Sequence, residues 1–191
     1  TDDAGPSDAG ANASGYPSFA LNPEEGLGRL EFSSDSADFF SEDGTVGIGA
    51  SGRLRGVVLH DILSEVIVPE DLDSAVEASF AAGSIGSEDR DSILSMLKER
   101  VESASRLGWF PADRSKVFTE SSVINVDGEV YRPDRVIVDG KKVIVVDYKF
   151  GKEEKKYLRQ IGNYARLYKS MGYPDVEAYL WYVENDKVVR G

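Results

Sequence analysis

The chain has 191 residues, which suits one domain with an appended segment and is long enough to bury a real core. It has no cysteine, which excludes disulfides, zinc–thiolate sites and iron–sulfur clusters, and no run of about 18 apolar residues that would span a membrane. The formal net charge of −12, taken alone, argues against nucleic acid as a partner.

Residues 1–22 are rich in Asp, Gly, Ala, Ser and Pro and read as a linker or disordered arm. No signal peptide is visible, and the first residue is Thr1 rather than Met, as expected of a piece of something longer. Residues 23–51 hold apolar patches without a period and read as an irregular lead-in. The main domain is expected over 52–191.

Helical spacing of Leu54, Val57, Val58, Ile62, Leu63 and Val66 predicts a helix over 53–66, closed by Pro69. A second helix is expected over 71–83, stopping at Gly83. A third spans 87–108, opened by Ser87 and early acids and stopped at Gly108. The texture then changes. "KVFTESSVINV", "EVYRPDRVIV" and "KKVIVVDYKF" are rich in Val and Ile and are separated by Asp-Gly pairs at 127–128 and 139–140, a strong hairpin signal. They predict three consecutive antiparallel strands. A helix follows over 153–172, then a last strand over 176–185. The fold class is α/β (α+β): a central mixed sheet with an antiparallel three-strand meander, flanked by helices.

The charge is unevenly spread. Residues 1–50 carry one basic and ten acidic residues, whereas 132–170 carry eleven basic and five acidic ones, half of all Lys and Arg. Charge bias of this kind is commonly a solvated helix face. Here the basic stretch overlaps an unusual set of strand residues.

A buried strand, "VIVVDYK", ends in Asp147 and Lys149, and Asp134 stands thirteen residues earlier in "RPDRV". A two-residue Asp139–Gly140 loop would pair Val138 with Lys141 and Asp134 with Val145. Asp147 would then be the diagonal neighbour of Asp134. Alternation puts Asp134, Asp147 and Lys149 on one face. Two bare carboxylates at such range repel. Either Lys149 supplies the counter-charge in a salt-bridged triad, or a hard divalent cation such as Mg²⁺ or Mn²⁺ sits between the acids, with Lys149 beside it to hold a water.

On a helix, Gln160 and Tyr164 share a face four residues apart. Tyr164 is equally explained as plain core. Gly162 costs about 1 kcal/mol against Ala in mid-helix, which suggests a close approach there. Lys155, Lys156, Arg159 and Arg166 could track phosphates.

"PD" at 133–134 followed by "DYK" at 147–149 resembles the core of the PD-(D/E)XK nucleases. "GVVLHDILSE", "FTESSV" and "QIGNY" are similar to flanking motifs of the RecB/AddA-like branch, the C-terminal nuclease domains of helicase-nucleases. Together these motifs run from about residue 52 to 185. The resemblance implies a restriction-endonuclease-like core and a Mg²⁺- or Mn²⁺-dependent deoxyribonuclease, an exonuclease acting in double-strand-break repair and recombination. It implies a metal set of His60, Asp134, Asp147 and the Tyr148 carbonyl, with Glu120 as an additional acid. Asp134, Asp147, Lys149, Gln160 and Tyr164 would be the catalytic set. Lys155, Lys156, Arg159 and Arg166 would contact DNA, as a single strand or a duplex end. A helicase motor is implied, upstream in the same polypeptide or as a partner subunit, in a bacterial cytoplasm with no membrane. Two departures stand: Phe150 follows Lys149 where the branch often has Thr, and the four cysteines by which AddB-type members hold an iron–sulfur cluster are absent, which points to the RecB/AddA type. Separately, no GxxxxGK[ST] stretch is present, so this sequence encodes no ATP motor. A two-residue turn at 127–128 would pair Ser121, not Glu120, with Asp134, so Glu120 faces away unless Pro133 creates a bulge. The alternative is a catalytically inactive nuclease-fold module that clamps DNA or a partner subunit.

Overall fold

The computed structural model describes residues 49–126 and 128–191. The expected arm over 1–22, and the lead-in up to residue 48, lie outside the described residues. The elements are α1 (Gly49–Glu65), α2 (Leu72–Ala81), α3 (Ser87–Arg106), β1 (Val117–Thr119), β2 (Val123–Ile124), β3 (Val130–Tyr131), β4 (Arg135–Asp139), β5 (Lys142–Lys149), α4 (Lys155–Ser170), β6 (Asp175–Tyr182) and β7 (Lys187–Arg190).

The sheet is mixed and five-stranded, in the order β1-β4-β5-β6-β7. The β5–β6 pair is parallel, and α4 is the crossover that a parallel pair requires. The other pairs are antiparallel. Helices cover both faces. One core layer joins Leu59, Ile62 and Leu63 of α1, Leu97 and Val101 of α3, and Ile137, Ile144, Val146, Tyr148 and Trp181 of the sheet. The opposite layer joins Ile161, Tyr164 and Tyr168 of α4 to Val136, Val143, Val145, Ala178 and Leu180. β5 is buried on both faces, so its apolar run is continuous rather than alternating. Among the described residues no helix is long and apolar enough to cross a membrane.

Four details depart from the sequence reading. The apolar stripe of α1 is buried from Leu59 onward, while Leu54 and Val57 are exposed. The first two expected strands each break. Their outer halves form a separate two-stranded ribbon, β2–β3, and their inner halves are β1 and β4. The break falls at Glu120, which takes a left-handed φ of 49°, and at Pro133, which has no N–H to give a ladder. The last segment is two strands. β6 ends at Tyr182, and Asp186, left-handed at φ 50°, turns the chain back into β7. Trp181 Nε1 donates to the Asp186 carboxylate at 3.0 Å and secures that turn. Finally, a Cβ added at Gly162 would meet nothing within 4 Å among the described residues, so no described element packed there explains this glycine.

Candidate metal centre

Two turns set the register that builds the site. In the first, Asn125 pairs with Glu129: Asn125 N–H donates to the Glu129 carbonyl at 3.0 Å, and Glu129 N–H returns to Asn125 Oδ1 at 2.9 Å. Three residues close the loop instead of two, with Gly128 at φ 83°. The extra residue moves the pairing by one. Thr119 faces Arg135, and Glu120 N–H donates to the Asp134 carbonyl at 3.1 Å. Glu120, expected from the sequence to face away unless Pro133 made a bulge, therefore stands opposite Asp134 through loop length.

The second turn is Gly140–Lys141, one residue later than expected, because Asp139 pairs with Lys142. Moving the turn by one shifts the register by two, which keeps side-chain parity. Extending the ladder one step past Arg135–Val146 places Asp134 directly across from Asp147, rather than diagonal to it.

His60 enters from α1, at the rim of the helical layer. Its Nε2 lies 3.2 Å from Glu120 Oε1 and 3.3 Å from Asp134 Oδ1. Ligand atoms of His60, Glu120 and Asp134 all fall within 4.8 Å of one another. Asp134 is held by a second contact, with Tyr148 N–H donating to its Oδ2 at 2.5 Å. Burial works against the His60 imidazolium, but hydrogen bonds and charge from Asp134 and Glu120 outweigh it and push the pKa from 6.5 up to about 10. Tyr148 packs its ring edge-on at 6.1 Å from that imidazole, and burial pushes its hydroxyl up to about 12, leaving a neutral phenol.

Asp147 does not belong to the three-residue set. It is fully buried, and its Oδ2 lies 2.7 Å from Lys149 Nζ, which is also buried. The Lys149 ammonium sits 4.4 Å from the centre of the Tyr157 ring, a cation–π contact from the first turn of α4. Lys149 thus supplies a counter-charge to Asp147, while the ligand atoms that gather around Asp134 are those of His60 and Glu120, a set that could hold a cation.

Gln160 and Tyr164 reach the same region from behind. Gln160 Nε2 donates to the Tyr164 hydroxyl at 3.3 Å, and that hydroxyl donates to the Arg132 carbonyl at 3.4 Å. Tyr164 is buried core and also a brace for the Arg132–Asp134 segment. Lys155, Lys156, Arg159 and Arg166 are exposed along α4. Arg166 is partly engaged by Asn163 and by the Gly162 carbonyl.

A buried arginine of the site region escaped the sequence reading. Arg135 is fully buried beside Asp134. Its Nε donates to the Trp109 carbonyl and its Nη1 and Nη2 to the Val66 and Ile67 carbonyls, each at 2.6 Å, while its guanidinium stacks 3.8 Å from the Phe110 ring centre. A signal was present. Arg135 lies two residues before Ile137 in a strand, so it must share that residue's buried face.

The donor set of one imidazole nitrogen and two carboxylates suits a divalent cation, and its mixed nitrogen–oxygen character fits Mn²⁺ at least as well as Mg²⁺. No protein-family model matches this chain, and no curated protein matches it.

Proposed function

We propose that this chain is a divalent-metal-dependent nuclease domain of the PD-(D/E)XK type, similar to the RecB/AddA branch, with a restriction-endonuclease-like core. One observation carries the reading: residues 60, 120, 134, 147 and 149, scattered through the sequence and matching separate motifs, converge at one end of the central strands. His60, Glu120 and Asp134 would hold the ion, Mg²⁺ or Mn²⁺. A bound ion supplies charge compensation for a phosphate and a bound water of lowered pKa. Lys149, kept in place by Asp147 and Tyr157, would orient that water or hold its proton. Gln160 and Tyr164 brace the segment that presents Asp134.

Basic residues along α4 supply a phosphate-tracking face. Lys155, Arg159, Gly162 and Arg166 share one helix face by spacing. Among the described residues nothing would meet a Cβ at Gly162, so a nucleic-acid backbone could approach closely there. The substrate would be a DNA strand or duplex end, delivered by a helicase motor in the same polypeptide or in a partner subunit.

A second reading is favoured by the Asp147–Lys149 pair: an inactive module that clamps DNA, because both groups are buried and tied to each other. Incubation with linear single-stranded and duplex DNA in Mg²⁺ or Mn²⁺, and again in excess chelator, separates the two. Metal-dependent cutting that disappears in Asp134→Ala supports the nuclease. Equal cutting with and without chelator sinks the metal mechanism, and DNA binding without any cutting supports the clamp.

A further inference from the structure

Arg132 touches Glu120 twice. Its Nε lies 2.8 Å from Glu120 Oε2 and donates to the Glu120 carbonyl oxygen at 2.9 Å. The other carboxylate oxygen, Oε1, lies 3.2 Å from His60 Nε2. Glu120 is thus gripped by an imidazole on one side and a guanidinium on the other. Arg132 itself is rooted, because its carbonyl accepts from the Tyr164 hydroxyl at 3.4 Å. Beyond that root the side chain is 48% exposed. Both contacts with Glu120 use Nε, which leaves the terminal nitrogens for a planar two-point grip. A guanidinium fork matches the oxygens of a phosphate far better than an ammonium does.

The charges point the same way. A divalent cation held by His60, Glu120 and Asp134 would itself neutralise the two carboxylates. The pairing of Arg132 with Glu120 would then be redundant, and the guanidinium would stand next to a centre that attracts anions.

We infer that Arg132 is a phosphate-gripping residue, stationed beside the metal centre by Glu120 and able to pass its terminal nitrogens to a phosphate oxygen of a strand lying against His60, Glu120 and Asp134. This rests on the nuclease reading above and adds to it a residue that the sequence did not single out. The competing account is purely structural: Arg132 ties down a Glu120 backbone held at φ 49°.

Binding measurements separate the accounts without relying on cleavage. A fluorescein-labelled single-stranded oligodeoxynucleotide is titrated by anisotropy in Ca²⁺, from low to physiological salt, and a gel checks that the strand stays whole. Mn²⁺ binding without DNA is followed by calorimetry. For Arg132→Gln, strand affinity should fall about tenfold, as for loss of one charge-assisted hydrogen-bonded contact. The slope of log affinity against log salt should become shallower by about 0.7, the value of one phosphate contact on a single strand. Mn²⁺ affinity should hold or tighten. Arg132→Lys should keep the salt slope while losing part of the affinity. If Arg132→Gln matches wild type in strand affinity and slope while Mn²⁺ binding weakens, Arg132 only supports Glu120, and the inference falls while the nuclease reading stands. If wild type neither binds nor cuts DNA with any of these ions, both fall together.

Discussion

Glu120 stands directly across from Asp134, its N–H donating to the Asp134 carbonyl at 3.1 Å, and both carboxylates reach Nε2 of His60. A one-residue slip would point Glu120 to the opposite side of the strand and leave a two-ligand site. If the three residues form one ion site, Mn²⁺ should stabilise the folded chain by about 2.7 kcal/mol at a hundredfold excess over its dissociation constant. In a chain of this size that corresponds to a rise in Tm of roughly 5–11 °C. Glu120→Gln should remove most of the rise. An undiminished Mn²⁺ shift in Glu120→Gln would take Glu120 out of the site.

The His60 proton gives a pH signature. Its folded pKa, about 10, lies above the ordinary 6.5, so the folded state holds the proton more tightly than the unfolded chain does. The resulting stabilisation is whole below about pH 6.5 and is lost as pH rises toward 10. In metal-free buffer the Tm difference between wild type and His60→Gln should therefore shrink across that window. Metal binding needs the neutral imidazole, so Mn²⁺ affinity should rise with pH over the same range. Calorimetry in buffers of different ionisation enthalpy should count about one proton released per ion near neutral pH. No proton release would mean that His60 keeps its proton and is not a ligand.

Asp147 and Lys149 form a buried ion pair, and breaking it from either side leaves one charge stranded. Asp147→Ala and Lys149→Met should each destabilise the metal-free protein by about 3–5 kcal/mol. The double variant Asp147→Ala/Lys149→Met should recover much of that loss, because no unpaired buried charge remains. Chemical denaturation of the four proteins completes the cycle. Additive losses in the double variant would show that the pair is not coupled.

Arg135 links β4 to the end of α1 and to the loop after α3 through three carbonyls. Arg135→Met should leave those acceptors buried without a donor, at about 1–3 kcal/mol for each one that water does not reach. Because Arg135 adjoins Asp134, Mn²⁺ affinity should weaken as well. Arg135→Lys should recover only part of the stability, since one ammonium lacks the fork and the stack on Phe110. A thermal melt of Arg135→Met indistinguishable from wild type would show that the carbonyls find other donors.

On α4, Lys155 and Lys156 occupy the first turn, where the helix dipole disfavours cations. Replacing Lys155, Lys156 and Arg159 by Ser should leave Tm unchanged or slightly raised while weakening all DNA sequences about equally. Gly162→Ala should stabilise the helix by about 1 kcal/mol. If the helix meets DNA at that point, the same change should weaken binding. Unaltered affinity in both variants would place the DNA elsewhere.

The sequence by itself determined the helices, the strand-forming segments and the parity of the β4–β5 pairing. Val- and Ile-rich runs separated by Asp-Gly pairs, and helices with readable stops, are local signals that need no partner. Asp134 and Asp147 shared a face in the sequence reading and share it in the structure, because the turn moved by one residue and the register by two. What only the tertiary structure decided was how the groups combine. An extra residue in the turn between Asn125 and Glu129 brought Glu120 opposite Asp134, and loop length is set by backbone closure that composition does not report. His60 reaches Asp134 across 74 residues, which only the packing of α1 on the sheet can specify. Lys149 went to Asp147 because full burial of that carboxylate calls for a partner, and the nearest ammonium on the same strand face supplies it.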